Sequence, residues 1–250
     1  MDSLAKQRVL VTGGSRGLGL GIVEALVARG AEVTVVARTA AYLLEAKSRL
    51  GIAIRPGDAT NPDFAVAALR AVRPTVLVLN AGATPIMAPL HKQTWESFSE
   101  IWNIDVKAAF HWVRAVLSLP LASGSRVLIG SSGAAVQGSP LSGGYAGAKR
   151  MLWLMAAYAN GAADELGLDI RFQALLPLQI VGTTQLGRTA AEAYARRKGV
   201  STESFLAGFG KPLSPRDYGE HVVSVLTEAR YAGATALGIH GDTGVSALQA

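Results

Sequence analysis

Val9-Leu10-Val11-Thr12-Gly13-Gly14-Ser15-Arg16-Gly17-Leu18-Gly19 joins a short apolar run to a glycine-rich turn and then to an apolar-periodic segment. That order reads as strand, tight turn and helix start. The glycines have distinct physical uses. One permits a positive φ in the turn, another lets the backbone approach a pyrophosphate, and the last lets helix and strand pack closely. The helix N-terminus then offers free N–H groups and the positive end of its dipole to an anion. The functional reading is a cradle for dinucleotide phosphates; the plain alternative is a structural turn.

The same alternation continues outward. Strands are expected at 32–37, 53–54, 76–79, 126–129, 170–175 and 236–239. Helices are expected at 18–29, 40–50, 62–72, 95–119 and 144–166. Short apolar strands separated by helices argue for a parallel sheet covered on both faces. The expected fold class is α/β, a doubly wound parallel sheet (Rossmann fold) with helices on both faces. No repeat, low-complexity segment or linker divides the chain. Residues 1–250 are therefore read as one domain, with a helical substrate lid around 183–212.

Composition excludes several classes. Of 250 residues, 50% are hydrophobic and 17% charged, too apolar for a disordered chain. There is no cysteine, so disulfides, thiolate metal sites and a cysteine nucleophile are excluded. His91, His111, His221 and His240 lack metal-ligand spacing, and no metal is expected. The longest charge-free run, 127–148, is broken by Gly, Ser and Pro and does not read as a membrane span. The N-terminus shows no secretion signal, and a soluble, cytoplasmic protein is expected. The net charge of +6 is modest. Its dense cluster, Arg196-Arg197-Lys198, reads as a solvated helix face, with no aromatics interleaved for nucleic acid.

The second strand ends Val35-Val36-Ala37-Arg38-Thr39, with no acid for a ribose 2′-hydroxyl. A guanidinium there can hold a 2′-phosphate, and Arg16 can add a second cation. The expected cofactor is NADP(H) rather than NAD(H); otherwise Arg38 is an ordinary solvated arginine. Asp58 either accepts from an adenine amino group or caps the helix starting near Pro62. Tyr145 and Lys149 lie four residues apart, on one face of a helix. A phenol is a poor base at neutral pH, and a nearby ammonium favours its phenolate. Tyr145 can then give a proton to a carbonyl oxygen or take one from an alcohol. Ser132 lies just past a strand, where its hydroxyl can hold the substrate oxygen.

With these pieces assembled, the chain resembles the short-chain dehydrogenase/reductase family in its compact form. The matching residues are Thr12 to Gly19, Asp58, Asn80-Ala81-Gly82, Ser132, Tyr145 and Lys149, in family order. The resemblance implies an NAD(P)-dependent oxidoreductase with Tyr145 as acid/base. Lys149 would orient the ribose and Ser132 the substrate. It also implies a cofactor site made of Gly13, Ser15, Arg16, Gly17, Leu18 and Gly19, then Arg38, Thr39, Asp58 and Ala59. Asn80, Ala81, Gly82, Tyr145, Lys149, Pro177, Ile180 and Thr183 complete that site.

Four departures from the family pattern stand out. Asp105 replaces the family's fourth catalytic residue, an asparagine whose main-chain carbonyl holds a water on a proton path. Asn103 is two residues off register and does not inherit the role. An ionised Asp105 near Lys149 would raise the lysine pKa and shift the pH optimum. Leu178 replaces a glycine after Pro177, Gly182 replaces a threonine, and Asp242-Thr243-Gly244 replaces Asp-Gly-Gly. For the missing threonine, Thr183 or Thr184 is the expected substitute.

The segments 83–89, 133–141 and that after Pro177 would line the substrate. They offer Met87, Val136, Leu178, Leu186, Phe205, Leu206 and Phe209, which suit an apolar carbonyl compound. The expected activity is reversible, NADPH-dependent reduction of a ketone or aldehyde. The alternatives are a 3-oxoacyl-carrier-protein-type reductase and a catalytically silent NADP-binding protein. Met151-Leu152-Trp153-Leu154 is apolar on all sides, which predicts burial against both the sheet and a second subunit in a homo-oligomer (dimer or tetramer). No nucleic-acid or membrane partner is expected.

Overall fold

The computed structural model describes residues 3–249. One sheet has eight strands in the order β3-β2-β1-β4-β5-β6-β7-β8. They are β1 (Arg8–Thr12), β2 (Glu32–Ala37), β3 (Ala53–Pro56), β4 (Val76–Leu79), β5 (Ser125–Gly130), β6 (Ile170–Pro177), β7 (Ala236–His240) and β8 (Gly244–Ala247). Every pairing is parallel except β7 with β8. The reversal between β1 and β4 makes the sheet doubly wound, as expected. The antiparallel β8 was absent from the sequence reading. It is a four-residue edge strand with two exposed positions, too short for a periodic signal.

Alternate strand residues feed two cores. Val9, Val11, Val33 and Val35 pack on one face against α1 (Gly17–Ala28), α2 (Ala40–Leu50) and α10 (Pro215–Thr227). Leu10, Leu77, Val127 and Phe172 pack on the other against α3 (Pro62–Val72), α5 (Lys107–Ser118) and α7 (Tyr145–Glu165). This two-sided burial explains why the strands are apolar without alternation.

The helix expected at 95–119 is interrupted. It comprises α4 (Trp95–Ile101), a π-helical turn (Trp102–Val106) and α5. The extra residue in the turn coincides with the burial of Asp105, while Asn103 stays exposed and reaches Ser99 Oγ at 3.4 Å. Such turns recur at functional sites. On α7, Leu152 and Trp153 are buried while Met151 and Leu154 are partly exposed, so burial is one-sided within a single chain. Two short helices, α6 (Ala134–Gln137) and α9 (Thr202–Ala207), and the longer α8 (Gln185–Lys198) complete the set among the described residues.

Helices α1 and α10 cross through two glycines. A Cβ on Gly21 would lie 1.8 Å from Pro215 O, and one on Gly219 would lie 2.1 Å from Gly21 O. Both obstacles are backbone, so a side chain could enter only by moving a helix. Gly219→Ala is expected to cost about 1–3 kcal/mol. Urea unfolding checks this: the midpoint should fall with an unchanged slope, and an unaltered midpoint would contradict the close crossing.

Candidate active site

A cavity of about 930 Å³ runs along the carboxyl ends of the parallel strands. At its first wall, β1 ends in Gly13, whose φ is +68° and whose N–H donates to Val36 O at 2.8 Å. A Cβ there would meet Ala81 Cα at 2.7 Å, so the turn lies directly on the chain after β4. The buried Thr12 hydroxyl holds the two together, accepting from Asn80 N (3.1 Å) and Ala81 N (3.2 Å). Asn80 Nδ2 donates to Gly13 O at 3.3 Å. Helix α1 then starts at Gly17 with no side-chain cap and no acid in its first turn. Its unpaired N–H groups are free for an anion.

Every cofactor residue expected from the sequence lines this cavity except Gly19. Gly19 faces the turn instead, where a Cβ would sit 2.2 Å from Gly13 O. Its role is packing, in line with the third glycine's expected use.

Arg38 and Thr39 lie at the end of β2, both exposed on the cavity wall. Arg16 turns across the opening: its Nη1 donates to Gln185 Oε1 at 2.8 Å and its guanidinium sits 5.8 Å from the Tyr42 ring centroid. The two readings of Asp58 separate here. Asn61, not Asp58, caps α3, accepting from Asp63 N and Phe64 N. Asp58 Oδ1 accepts from Thr60 N at 2.9 Å and remains on the cavity wall. That backbone hydrogen bond, with Arg38 and Lys107 adding charge, holds its carboxyl below the usual value despite partial burial.

The opposite wall carries Ser132, Tyr145, Lys149 and Asp105. Tyr145 opens α7, and its N–H donates to Ser142 O at 3.1 Å. Preceding it, Gly144 packs where a Cβ would be 2.3 Å from Phe98 O, which fixes the helix start against α4. Ser131 Oγ donates to Lys149 O at 2.7 Å and pins the first turns of α7 to β5. Ser132 Oγ accepts from Ala134 N at 3.2 Å.

Lys149 Nζ lies 5.4 Å from the Tyr145 ring centroid, 3.4 Å from Gly130 O and 2.9 Å from Asp105 Oδ2. Burial works against the ammonium. The charge of Asp105, then Tyr145, and the short contact to Asp105 outweigh it, and Lys149 is held above its ordinary value.

The remaining departures find local partners. Leu178 has no positive φ, so no glycine is required there. Its side chain occupies the space that a Cβ on Gly238 would take, 2.7 Å away. Gly182 likewise leaves room for Leu206, 2.7 Å from its Cβ position. Thr183 and Thr184 both line the cavity, and Thr184 Oγ1 also caps α8 by accepting from Gly187 N at 3.0 Å.

The part of the cavity expected to take the substrate differs in part from expectation. Leu178, Leu186, Phe205 and Phe209 line it; Met87, Val136 and Leu206 do not. Arg188, Tyr194 and Lys198 also line the cavity, so its wall is more polar than the sequence suggested. Helical spacing turns one side of α8 inward, and Tyr194 Oη meets Ser139 Oγ at 2.8 Å. Nothing in the local sequence marks Tyr194, because Ser139 lies 55 residues away. Among the described residues, no group of His, Asp and Glu is arranged to hold a metal, and no helix is long and apolar enough to cross a membrane.

A profile of short chain dehydrogenases matches residues 7–194. The chain belongs to that family. It is 36% identical over 107 residues to human L-xylulose reductase, covering 42% of this chain and 43% of that one. It is 30% identical over 202 residues to cis-2,3-dihydrobiphenyl-2,3-diol dehydrogenase of Rhodococcus globerulus, covering 76% and 70%. The chain spans about half the length of several curated relatives it matches. The crystal structure of L-sorbose reductase from Gluconobacter frateurii, complexed with NADPH and L-sorbose, is similar at a TM-score of 0.78 and 21% identity. That likeness covers 96% of this chain and 98% of that one, and it is a likeness of fold.

The direction of the Lys149 shift has a consequence for stability. With the folded value raised, the contribution of the pair is complete below the ordinary lysine value of 10.5 and is lost as pH rises through the folded value. Asp105→Asn should therefore be less stable than wild type at neutral pH, with the gap narrowing above pH 10.5. Denaturation across that range checks it; a gap independent of pH would contradict the pairing.

Proposed function

We propose that this protein is an NADP(H)-dependent reductase of a small carbonyl compound, reversible as an alcohol dehydrogenase. The observation that carries the reading is the meeting of Ser132, Tyr145 and Lys149 on one cavity with the glycine-rich turn. The donor set fits a dinucleotide. Uncapped N–H groups at the start of α1 suit a pyrophosphate. Arg38 at the end of β2, with no acid next to it in the sequence, suits a 2′-phosphate.

A bound reduced nicotinamide supplies the hydride. Tyr145 gives the carbonyl oxygen its proton, and Ser132 holds that oxygen by a hydrogen bond. Lys149 stands behind the phenol and binds the ribose. Asp58 accepts from the adenine amino group, its carboxylate held ionised by Thr60 N–H. Asn80, Ala81 and Gly82, at the end of β4, would support the cofactor, and Pro177, Ile180 and Thr183, on the same cavity, would border its nicotinamide.

Helices α8 and α9 form the lid over the substrate. Tyr194, Phe205 and Phe209 give it an aromatic inner surface: Tyr194 and Phe205 stack at 6.1 Å between centroids. Phe205 and Phe209 meet edge to face at 5.5 Å. The protein acts as a homo-oligomer, for which Phe110 on α5 (52% exposed) and Tyr158 on α7 (63% exposed) offer apolar contact surface.

Tyr145→Phe should lower kcat for ketone reduction about 10²–10⁴-fold with little change in NADPH affinity. Turnover equal to wild type would refute the acid/base assignment. Arg38→Ala should raise the KM for NADPH about tenfold or more and leave that for NADH nearly unchanged. Equal changes for both cofactors would remove the case for the 2′-phosphate.

A further inference from the structure

Asp105 stands where family resemblance expects an asparagine, and its carboxylate is enclosed with Lys149. Their side chains are 1% and 10% exposed and meet at 2.9 Å. The two carboxylate oxygens do different things. Oδ1 accepts Ala83 N–H at 2.8 Å, a bond that an amide oxygen could equally make. Oδ2 has no hydrogen-bond partner beyond its ionic contact with Lys149. An amide nitrogen in its place would point N–H groups at an ammonium. The charge at position 105 therefore matters to Lys149, whereas the shape of the side chain serves the turn after β4. Gly82 makes room for it: a Cβ there would lie 2.7 Å from Oδ2.

The titratable groups that act on Lys149 are Asp105, from the π-helical turn, and Tyr145, from its own helix. Strand β5 adds the neutral Gly130 carbonyl. On α5, Lys107 acts on Asp58 and His111 instead. On α4, Glu96 is exposed and Glu100 partly exposed, and α6 carries no ionisable side chain.

A lone ammonium stabilises a nearby phenolate. An ammonium with a carboxylate in contact is close to a neutral dipole, and its pull on the phenolate falls accordingly. We propose that Asp105 is a positioning residue that offsets the charge of Lys149 and so weakens the stabilisation that the ammonium gives a Tyr145 phenolate during proton transfer. This deepens the reading of Tyr145 as acid/base and rests on it. In the direction of carbonyl reduction the Tyr145 O–H bond breaks as the carbonyl oxygen takes the proton. The hydride electron pair from reduced nicotinamide forms the new C–H bond, the carbonyl π pair forms the O–H bond, and the nicotinamide is left oxidised. The phenolate then regains a proton from water.

The test reads the phenol without turnover. Phenolate ultraviolet absorbance is followed against pH on the full chain, free of substrate and cofactor, for wild type and Asp105→Asn. Each is paired with its Tyr145→Phe counterpart as a blank. The Tyr145 limb in Asp105→Asn should lie about one pH unit or more below that of wild type. Coincident limbs, or an upward move, overturn the proposal. If the asparagine variant does not fold, Asp105→Ser reads the same limb with a smaller neutral side chain. An Asp105 that merely supported the fold would lower the melting temperature and leave the limb in place. Activity of Tyr145→Phe tests the acid/base reading separately, so the two failures are distinguishable.

Discussion

Parallel pairing is the constraint from which the site follows. Seven strands joined in parallel bring their carboxyl ends to one edge of the sheet. Each connection must cross over a face, and helices do this at least cost in unpaired backbone. The loops leaving β1, β2, β3, β4, β5 and β6 therefore open into one cavity. Residues as distant in sequence as Gly13 and Thr183 meet there without any direct bond between them. The order reversal at β1 and β4 opens the crevice, and the Thr12 hydroxyl stitches those two loops at its floor.

Close backbone approach is the second constraint. Gly13, Gly19, Gly21 and Gly219 each leave a space that backbone atoms of another segment fill. In a close-packed interior such contacts cannot be relieved by a rotamer change. They set the height of α1 above the sheet, and so the height of its free N–H groups above the cavity. The same principle explains the tolerated departures. Leu178 is accommodated because Gly238 lies beneath it, and Leu206 because Gly182 does. Changes that look damaging singly are compensated across the fold.

The sheet, its order of elements and most of the residues of one cavity wall were legible because they rest on local signals. The glycine-rich turn announces itself within a few residues, and so does the Tyr145–Lys149 spacing. The π-helical turn at Trp102–Val106 was not legible, since no glycine or proline marks it. The capping of α3 by Asn61 was overlooked beside the more conspicuous Asp58, although Asn immediately before Pro62 is a recognisable cap signal. Strand β8 lies at an exposed edge, where burial imposes no pattern. Arg188, Tyr194 and Lys198 were missed as wall residues because the inward side of α8 depends on how that helix is docked.

Asp105 shows the division most clearly. Its identity as an acid in place of an amide could be read from the chain, as could the idea that it would matter if it came near Lys149. That the two touch could not: they are separated by 44 positions and by strand β5 with its following loops. What the sequence by itself determined was the kind of fold and the chemical groups available, because periodicity, turn residues and helical spacing are short-range properties. What only the tertiary structure decided was which of those groups share an enclosed space and with what partners. The energy of a buried charge is set by the atoms packed around it, and those come from distant parts of the chain.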